Sequence, residues 1–316
     1  MKTVMLGATG LRVHPLVYGT LPLGPLQAAV TPEEGGRLIR YALERGVNLL
    51  DTAEMYQTYP HIRAALDGYR GEVLIATKTH ANTGELARAH VERALRELDR
   101  ECLDLVHLHG ARVADPFTDR AEVVAELVRM KEEGKIRHVG LSSHFISAIR
   151  KAAAHPEIEV IHPLINRTGM GIIDGSSEEM AAAIAESAAA GKGVYAMKAL
   201  AGGNLISSAR ESIRFVLGLT GVHGIAMGML SETEIDGNVA LFETGVTETK
   251  LWEDLEGKRR KLRIMQAFCK GCGMCVPACT NDALQVVEGK AQVDEETCIL
   301  CGYCGAACPE FIIRVV

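Results

Sequence analysis

Cysteine residues are concentrated near the C-terminal end of the chain, at spacings that suit metal chemistry. Eight of the nine cysteines lie between Cys269 and Cys308, and only Cys102 precedes them. The pattern C-x-x-C-G-x-C-x-x-A-C occurs twice, starting at Cys269 and at Cys298. Disulfide frameworks are usually spread through small secreted domains, whereas cysteines crowded at short fixed spacing are typical of metal ligands. The pattern therefore predicts metal binding.

This spacing favours two [4Fe–4S] clusters. A C-x-x-C-x-x-C-x-x-x-C run wraps three thiolates around one cluster, and its fourth cysteine ligates the other cluster. Zinc is the alternative, but zinc sites normally hold two separated cysteine pairs. The module resembles the two-cluster bacterial ferredoxins, although Thr280 stands where the first run usually has proline. We assign Cys269, Cys272, Cys275 and Cys308 to cluster I, and Cys298, Cys301, Cys304 and Cys279 to cluster II.

The residues before this module alternate between short β-branched segments and helix-like segments. One such helix, TPEEGGRLIRYALERG, begins with a threonine cap and a proline and ends at Gly46. A strand followed by a helix, eight times over, predicts an α/β chain with a (β/α)8 TIM barrel. A doubly wound sheet is the competing architecture, but no G-x-G-x-x-G motif follows an early strand. The strand candidates are residues 16–19, 47–51, 73–78, 103–109, 138–142, 160–166, 193–198 and 224–228.

Polar residues stand at the ends of four consecutive barrel strands, where the chemistry of such barrels is located. Asp51 ends the second strand, Lys78 the third, His109 the fourth and Ser142 the fifth, and Tyr56 lies in the loop after Asp51. Taken singly, each of these residues has an ordinary structural explanation, such as a turn cap or a solvated strand end. Because consecutive strands are neighbours around the barrel mouth, we expect the group to converge.

Several segments of the barrel resemble the aldo-keto reductases. They are LGATGLRVHPLVYGT, GVNLLDTAEMY, LIATK and LDLVHLH, and AMKALAGG after the seventh strand resembles the variant with a ferredoxin-like tail. The family's Asp, Tyr, Lys and His tetrad falls on Asp51, Tyr56, Lys78 and His109. The resemblance implies interconversion of a small-molecule carbonyl and alcohol by hydride transfer from nicotinamide.

The chemistry of these four side chains agrees with that implication. Reduction of a carbonyl needs an acid, and a neighbouring ammonium would lower the pKa of tyrosine toward a usable range. Tyr56 is thus the predicted acid, Lys78 its tuner, Asp51 the anchor of Lys78, and His109 the hydrogen-bond donor that orients the carbonyl oxygen. We interpret His107 as a core residue and His144 as a candidate for the substrate pocket.

The nicotinamide pocket departs from the family pattern. His162 and Ile165 replace glutamine and tyrosine in the sixth-strand motif, and Met197 replaces the tyrosine that stacks on the nicotinamide. Glu234 stands where a basic residue normally grips a 2′-phosphate, so we expect NAD(H) rather than NADP(H). A flavin is possible in principle, although the chain has no flavin motif. The candidate cofactor-binding residues are Gly19, Thr20, Asp51, Ser142, Ser143, His162, Met197, Lys198, Leu200, Gly228, Glu234 and Asn238.

We divide the chain into a barrel at 1–245, a helical connector at 246–268 and an α+β ferredoxin-like domain at 269–316. LWEDLEGKRRKLRI is predicted to be an amphipathic helix whose basic run, beginning at Lys258, is either a solvated face or a guide for an acidic partner. The connector would carry the cluster domain to the barrel mouth and bring one cluster near Tyr56 and Lys78.

Composition narrows the remaining classes. The net charge of −6 argues against nucleic acid and anionic membranes as partners, and no apolar run is long enough for a membrane span. These features predict a cytoplasmic protein. Three functions stay open: a nicotinamide-dependent oxidoreductase whose clusters exchange electrons with a partner protein, an electron carrier built on a modified barrel, or a redox sensor with structural clusters.

Overall fold

The computed structural model describes residues 2–111, 113–245, 249–310 and 312–315. A closed barrel of eight parallel strands forms its centre, and each barrel strand is followed by at least one helix. Within the described ranges, no helix combines the length and the apolar character that crossing a bilayer requires.

All eight barrel strands lie where the sequence pattern predicts them. Lateral pairing aligns the strand ends, because Gly19 pairs with Asp51, Lys78 with His107 and His109 with Ser142. The barrel strands are β3 Leu16–Gly19, β4 Leu49–Asp51, β5 Leu74–Thr79, β6 Leu103–Gly110, β7 Ile136–Ser143, β8 Val160–Pro163, β9 Gly193–Met197 and β10 Gly224–Met227.

The outer helices begin and end at the residues that cap them. In the first helix, the Thr31 side chain accepts a hydrogen bond from the Glu34 amide, and Pro32 occupies the first turn. In the seventh, Ser176 and Glu179 form a reciprocal capping box. The helices of the barrel are α1 Pro32–Glu44, α2 Tyr59–Leu66, α3 Gly84–Leu98, α4 Pro116–Asp119, α5 Ala121–Glu132, α6 Ile146–Ala154, α7 Ser177–Ala189, α8 Ala209–Leu217 and α9 Glu232–Thr244.

An N-terminal hairpin closes the end of the barrel where the strands begin. Its strands, β1 Val4–Met5 and β2 Arg12–Val13, are antiparallel. Leu6 and Val13 are fully buried and belong to the same apolar cluster as interior residues such as Val17 and Leu105. Because apolar side chains fill this end, the opposite mouth, where the strands finish, is the end available for a site.

The helix predicted for the connector is wrong beyond Glu256. Helix α10 covers Thr249–Glu256, and after it the chain forms a short strand, β11 Leu262–Ile264, paired antiparallel with β14 Ile313–Val315. Leu262 and Ile264 are two residues apart, a spacing that places both on one face of a strand. Leu262 is buried in the apolar core of the C-terminal module, so this module begins at Leu262 rather than at Cys269.

The C-terminal module is small and built around its cysteines. Apart from the β11–β14 pair, it contains the hairpin β12 Leu284–Val287 with β13 Lys290–Val293, and the short helix α11 Tyr303–Ala307. Five of its cysteines are buried in the module's core together with aliphatic residues such as Ile312 and Ile313. The arrangement is the predicted α+β ferredoxin-like domain.

Two glycines allow this module to dock on the barrel mouth. Gly302 has a φ of +82°, and a Cβ placed on it would lie 2.2 Å from the carbonyl oxygen of Leu26. Gly202 has a φ of +72°, and a Cβ there would lie 1.7 Å from the carbonyl oxygen of Ile299. Both positions need glycine for conformation and for space. The loop of cluster II therefore lies directly against the loops that follow β3 and β9.

Candidate active site and metal centre

A buried ion pair lies under the barrel mouth. Lys78 Nζ donates to Asp51 Oδ2 at 2.6 Å and to the carbonyl oxygen of Thr52 at 2.8 Å. Both side chains of the pair are almost completely shielded from solvent. Burial lowers the pKa of Lys78, and the nearby Asp51 carboxylate opposes that shift. Strands β4 and β5 are neighbours, so the lateral pairing of the barrel holds the two groups together.

The other oxygen of Asp51 is held by groups from the far side of the barrel. The Tyr195 hydroxyl donates to Asp51 Oδ1 at 2.9 Å, and His162 Nε2 lies 3.7 Å from the same atom. His107 Nε2 lies 2.7 Å from the Tyr195 hydroxyl and is fully buried, so His107 is the core residue that the sequence predicts. Sequence reasoning missed Tyr195, whose position two residues before Met197 places both on the same face of β9.

Tyr56 lies over this ion pair. It ends a 3-10 turn, Glu54–Tyr56, which the left-handed conformation of Gln57 terminates. Lys78 Nζ is 5.0 Å from the centroid of the Tyr56 ring, and the His109 ring meets it edge-on at 6.3 Å. The structure thus brings all four predicted catalytic side chains together at one end of the barrel.

The electrostatics of Tyr56 differ from the expectation. Burial raises its pKa well above the ordinary tyrosine value, with Tyr303 and Asp51 adding to the shift, so the predicted lowering by Lys78 does not prevail. Burial, followed by the charges of Lys78 and Lys198, holds the pKa of His109 well below its ordinary value. Near neutral pH the phenol is therefore protonated and the imidazole neutral, which leaves one proton donor on each.

A residue of the C-terminal module enters this group. The Tyr303 hydroxyl lies 3.4 Å from His109 Nε2, and its electrostatic interaction with Tyr56 adds to the rise that burial causes in the pKa of Tyr56. Tyr303 and Tyr56 belong to one small apolar cluster with Leu26 and Ala53. A carbonyl oxygen that accepts hydrogen bonds from Tyr56 and His109 would need the place that this hydroxyl takes. Sequence reasoning missed Tyr303. The repeat offered a signal, since the equivalent position of the first copy holds Met274 rather than an aromatic residue.

A cavity of about 500 Å³ extends from this group along the mouth. Tyr56 borders one end, and Trp252 and Leu255 of α10 border it farther along. Cys301 also contributes to the wall, so a predicted ligand of cluster II faces the same space as the predicted catalytic residues Asp51 and Tyr56. Of the predicted cofactor-binding residues, those that line the cavity are Gly19, Asp51, His162, Met197, Lys198, Leu200, Gly228, Glu234 and Asn238.

Three predicted cofactor-binding residues lie outside this lining. The Thr20 hydroxyl bonds to the Asp51 carbonyl oxygen and to Thr58. Ser143 bonds to the Gly110 carbonyl oxygen and accepts from the Phe145 amide. Ser142 is fully buried, and its hydroxyl lacks a hydrogen-bond partner among the described residues. Thr20 and Ser143 are engaged by their own loops, which leaves them no role in the cavity wall.

His144, the candidate substrate-pocket residue, is buried below the mouth. It is 1% exposed and does not line the cavity. Burial and the nearby charge of Lys198 hold its pKa well below the ordinary value. The structure therefore places His144 behind the pocket wall and close to His109 and Lys198, rather than on the wall itself.

The basic run of the connector lies at the other end of the cavity. Lys258, Arg259 and Arg260 all line it. Lys258 Nζ lies 2.6 Å from Glu234 Oε1, while the other carboxylate oxygen of Glu234 accepts from the Leu230 amide at 2.6 Å. Arg260 donates to Gln27 at 2.7 Å. Lys258 and Arg260 thus contact the barrel, which the interpretation as a solvated face did not anticipate, whereas Arg259 is exposed and bonds to the connector's own backbone.

The cysteines fit the crossed assignment to two clusters. None of the nine cysteines forms a disulfide bond in the described chain, so the eight clustered thiols are available as metal ligands. Cys275 interacts electrostatically with Cys308, Cys269 and Cys272, whereas Cys304 interacts most strongly with Cys301, Cys298 and Cys279 and less strongly with Cys275. Backbone amides also donate to sulfur: Ala283 to Cys279 at 3.2 Å, and Ala291 to Cys269 at 3.3 Å. Such bonds stabilise thiolates and lower the pKa of Cys269.

The two cluster sites differ in their surroundings. Cys272 of cluster I is exposed, and Phe268 and Met274 beside it are among the most exposed large apolar side chains of the described chain. The loop of cluster II instead contacts the barrel, where Asn204 donates to the Cys298 carbonyl oxygen at 2.7 Å. The predicted site of cluster I therefore faces outward, and that of cluster II faces the predicted catalytic residues, which agrees with the connector hypothesis.

Comparisons with known proteins agree with this architecture. The aldo/keto reductase family matches residues 15–214, and a 4Fe–4S dicluster domain matches residues 268–312. The "probable aldo-keto reductase 1" of Glycine max is 30% identical over 205 residues, which are 55% of this chain and 58% of that protein. The aldo-keto reductase YhdN of Bacillus subtilis is 30% identical over 183 residues, covering 52% of this chain and 54% of that protein. The chain thus spans little more than half the length of these curated relatives.

Solved structures show the same barrel. A Pseudomonas aeruginosa chain described as an aldo-keto reductase has a TM-score of 0.64 and 26% identity, covering 76% of this chain and 93% of its own. The aldo-keto reductase AKR11C1 of Bacillus halodurans, in its holo form, has a TM-score of 0.64 and covers 81% of this chain and 96% of its own. At 23% identity, the Bacillus halodurans match shows the fold alone.

Proposed function

The chain belongs to the aldo/keto reductase family, and from this premise we propose that it is an oxidoreductase that interconverts a small-molecule carbonyl and its alcohol at the barrel mouth. The observation that carries the proposal is the buried Lys78–Asp51 pair beneath Tyr56, with His109 beside it and a cavity alongside. The bound cofactors would supply hydride from nicotinamide and single electrons from two [4Fe–4S] clusters.

The chain's own residues supply the proton and the orientation. Tyr56, protonated at neutral pH, donates its proton to the alkoxide that develops as the carbonyl carbon is reduced. His109 donates a hydrogen bond that holds the oxygen in place. The Lys78 ammonium, close to the Tyr56 ring, stabilises the tyrosinate left after proton transfer, and Asp51 keeps that ammonium in position.

The cavity fits a nicotinamide nucleotide, with Met197 and His162 near the catalytic end and Glu234 and Asn238 at the far end. Methionine can lie flat on a ring because it is flexible and polarizable. The preference for NAD(H) stays a prediction, and one observation favours NADP(H) instead. Lys258 neutralises Glu234, and the arginines beside it offer positive charge for a 2′-phosphate. Binding affinities for NADH and NADPH, measured on the same preparation, decide between them.

One observation favours a second candidate function. Because the Tyr303 hydroxyl lies 3.4 Å from His109 Nε2 and interacts with Tyr56, a substrate oxygen that contacts both groups would have to displace it. A barrel permanently closed in this way would serve only as a support for the clusters. The chain would then be an electron carrier that receives electrons from a reductase and passes them to a partner protein.

Anaerobic rapid mixing with NADH or NADPH separates the two functions. For the oxidoreductase, a panel of small aldehydes and ketones should be reduced, with one nucleotide oxidised for each alcohol formed. For the carrier, nucleotide should be oxidised only when a reductase is added, with bleaching of the cluster absorbance and no alcohol product. Iron and sulfide content, measured on the same sample, establishes that both clusters are present.

A further inference from the structure

Lys198, at the end of β9, has a buried ammonium without a counter-ion. Its Nζ atom is shielded from solvent and has no hydrogen-bond partner among the described residues. Its backbone has a φ of +61°, a left-handed conformation that residues other than glycine adopt at a cost of about 1 kcal/mol. Burial lowers the pKa of Lys198, so its ammonium form needs a negative partner in this strained and desolvated place. An unpaired buried charge is among the most unfavourable arrangements in a protein.

The groups around Lys198 indicate which anion it serves. The negative charges that act on it most strongly are those of Cys301 and Cys298, and both are ligands that we assign to cluster II. The Tyr303 ring lies 5.9 Å from Lys198 Nζ. Across the described residues, no carboxylate forms a salt bridge with it. Four thiolates and their cluster carry net negative charge, so cluster II supplies the missing partner.

Among the described residues, the cations near the predicted site of cluster I are more exposed than Lys198 or already paired. Lys270 is mostly exposed and is paired with Glu310 at 2.7 Å. Lys290 binds the carbonyl oxygen of Cys269 at 2.7 Å, but it lies at the surface of the module, where water screens its charge. The two runs have the same cysteine spacing, yet within the described ranges a desolvated amine faces the predicted site of cluster II and not that of cluster I. Charge, hydrogen bonds and solvent exposure around a cluster set its reduction potential.

We propose that Lys198 is the counter-ion of cluster II, contributed by the barrel, and that it raises the reduction potential of this cluster. This inference rests on the proposed function only in requiring that both clusters are bound. When cluster II accepts one electron it gains one negative charge, and the nearby ammonium stabilises that state. Lys198 also lines the cavity beside Met197, so the same side chain links the redox state of cluster II to the cofactor site.

A potentiometric titration followed by electron paramagnetic resonance tests the proposal. The full-length protein, purified anaerobically, is reduced stepwise with dithionite and mediators, and each cluster accepts one electron. In Lys198→Met, which keeps the length of the stem and removes the charge, the ratio of reduced to oxidised cluster II at a fixed potential should fall about tenfold, equivalent to a midpoint about 59 mV lower. Cluster I should change less than twofold, and Lys198→Arg should restore the original value.

Two controls make the outcome decisive. Lys290→Met removes a cation beside cluster I and should leave the cluster II step unchanged. An unchanged cluster II step in Lys198→Met, with full iron content, overturns the proposal. If Lys198→Met loses the iron of cluster II, retention of that iron in Lys198→Arg supports the counter-ion, whereas its loss in both variants shows a purely structural role. Absence of cluster iron in the unmodified protein would instead refute the proposed function.

Discussion

Tyr303 is the residue whose replacement should change the activity most unexpectedly. Its hydroxyl lies 3.4 Å from His109 Nε2 and interacts electrostatically with Tyr56, the two groups that a substrate oxygen would contact. A hydrogen bond contributes about 0.5–1.5 kcal/mol net; the His109 contact is long, and the interaction with Tyr56 adds to it. Displacement of this hydroxyl therefore weakens the binding free energy of a substrate by about 1–2 kcal/mol. Tyr303→Phe removes that competition and keeps the ring, so kcat/KM should rise about 5- to 30-fold.

The assay is anaerobic carbonyl reduction at a nucleotide concentration that saturates the protein, with kcat and KM measured separately. The gain should lie mainly in KM, because the hydroxyl competes with binding rather than with proton transfer. Met274→Leu, at the twin position of cluster I, is the matched control and should leave kcat/KM unchanged. A fall in kcat/KM for Tyr303→Phe, with iron content intact, would show that the hydroxyl assists catalysis and would refute the idea of competition.

The Lys78–Asp51 ion pair, the contact between the cluster module and the barrel, and the buried histidines each give a further prediction. Lys78→Met should lower the free energy of unfolding, measured by urea titration, by about 3–5 kcal/mol, because it leaves the Asp51 carboxylate buried without its cation. Lys131→Met removes the cation of a more exposed ion pair and should lower the same free energy by about 1 kcal/mol or less. Gly302→Ala should speed hydrogen exchange in residues 298–304, because the added Cβ would displace this loop from the barrel. Gly289→Ala, where φ is also positive but the space is open, should leave that exchange unchanged. Equal exchange in the two variants would contradict the docking argument. Burial holds the pKa values of four histidines well below 6.5, so the unfolded chain binds protons that the folded chain does not bind. The free energy of unfolding should therefore fall below pH 6.5 by up to about 1.4 kcal/mol per pH unit for each histidine. Urea titrations monitored by the fluorescence of the single tryptophan measure it, and a flat profile from pH 6.5 to 5 would contradict the prediction. These histidines are His107, His109, His144 and His162.

The barrel and the clusters could be predicted because their signals are local. Short runs of β-branched residues predict the positions of the eight strands. The spacing of the cysteines within each run predicts which of them can bind one cluster. The convergence of Asp51, Lys78 and His109 follows from one rule, that neighbouring parallel strands end at the same mouth. The catalytic roles of these residues remain predictions, because proximity establishes a site and not a reaction.

What the sequence could not provide depends on contacts between distant segments. Tyr303 and His109 are 194 residues apart, and only the docking of the module brings them together. The connector was assigned as one helix because its apolar residues suit either period, and Leu262–Ile264 is too short to reveal a strand before its partner at Ile313–Val315 is known. Charge patterns carry the same ambiguity, since a basic run looks alike whether it faces water or a cavity.

The central claim is that Tyr56 donates the proton at a site that the cluster module borders. Single-turnover transfer of deuteride from 4-deuterated nicotinamide nucleotide to a carbonyl, compared between the unmodified protein and Tyr56→Phe under anaerobic conditions, tests it most directly. We expect labelled alcohol from the unmodified protein and a rate lower by about 10²- to 10⁴-fold in the variant, with both clusters retained. Equal rates in the two proteins would contradict the claim.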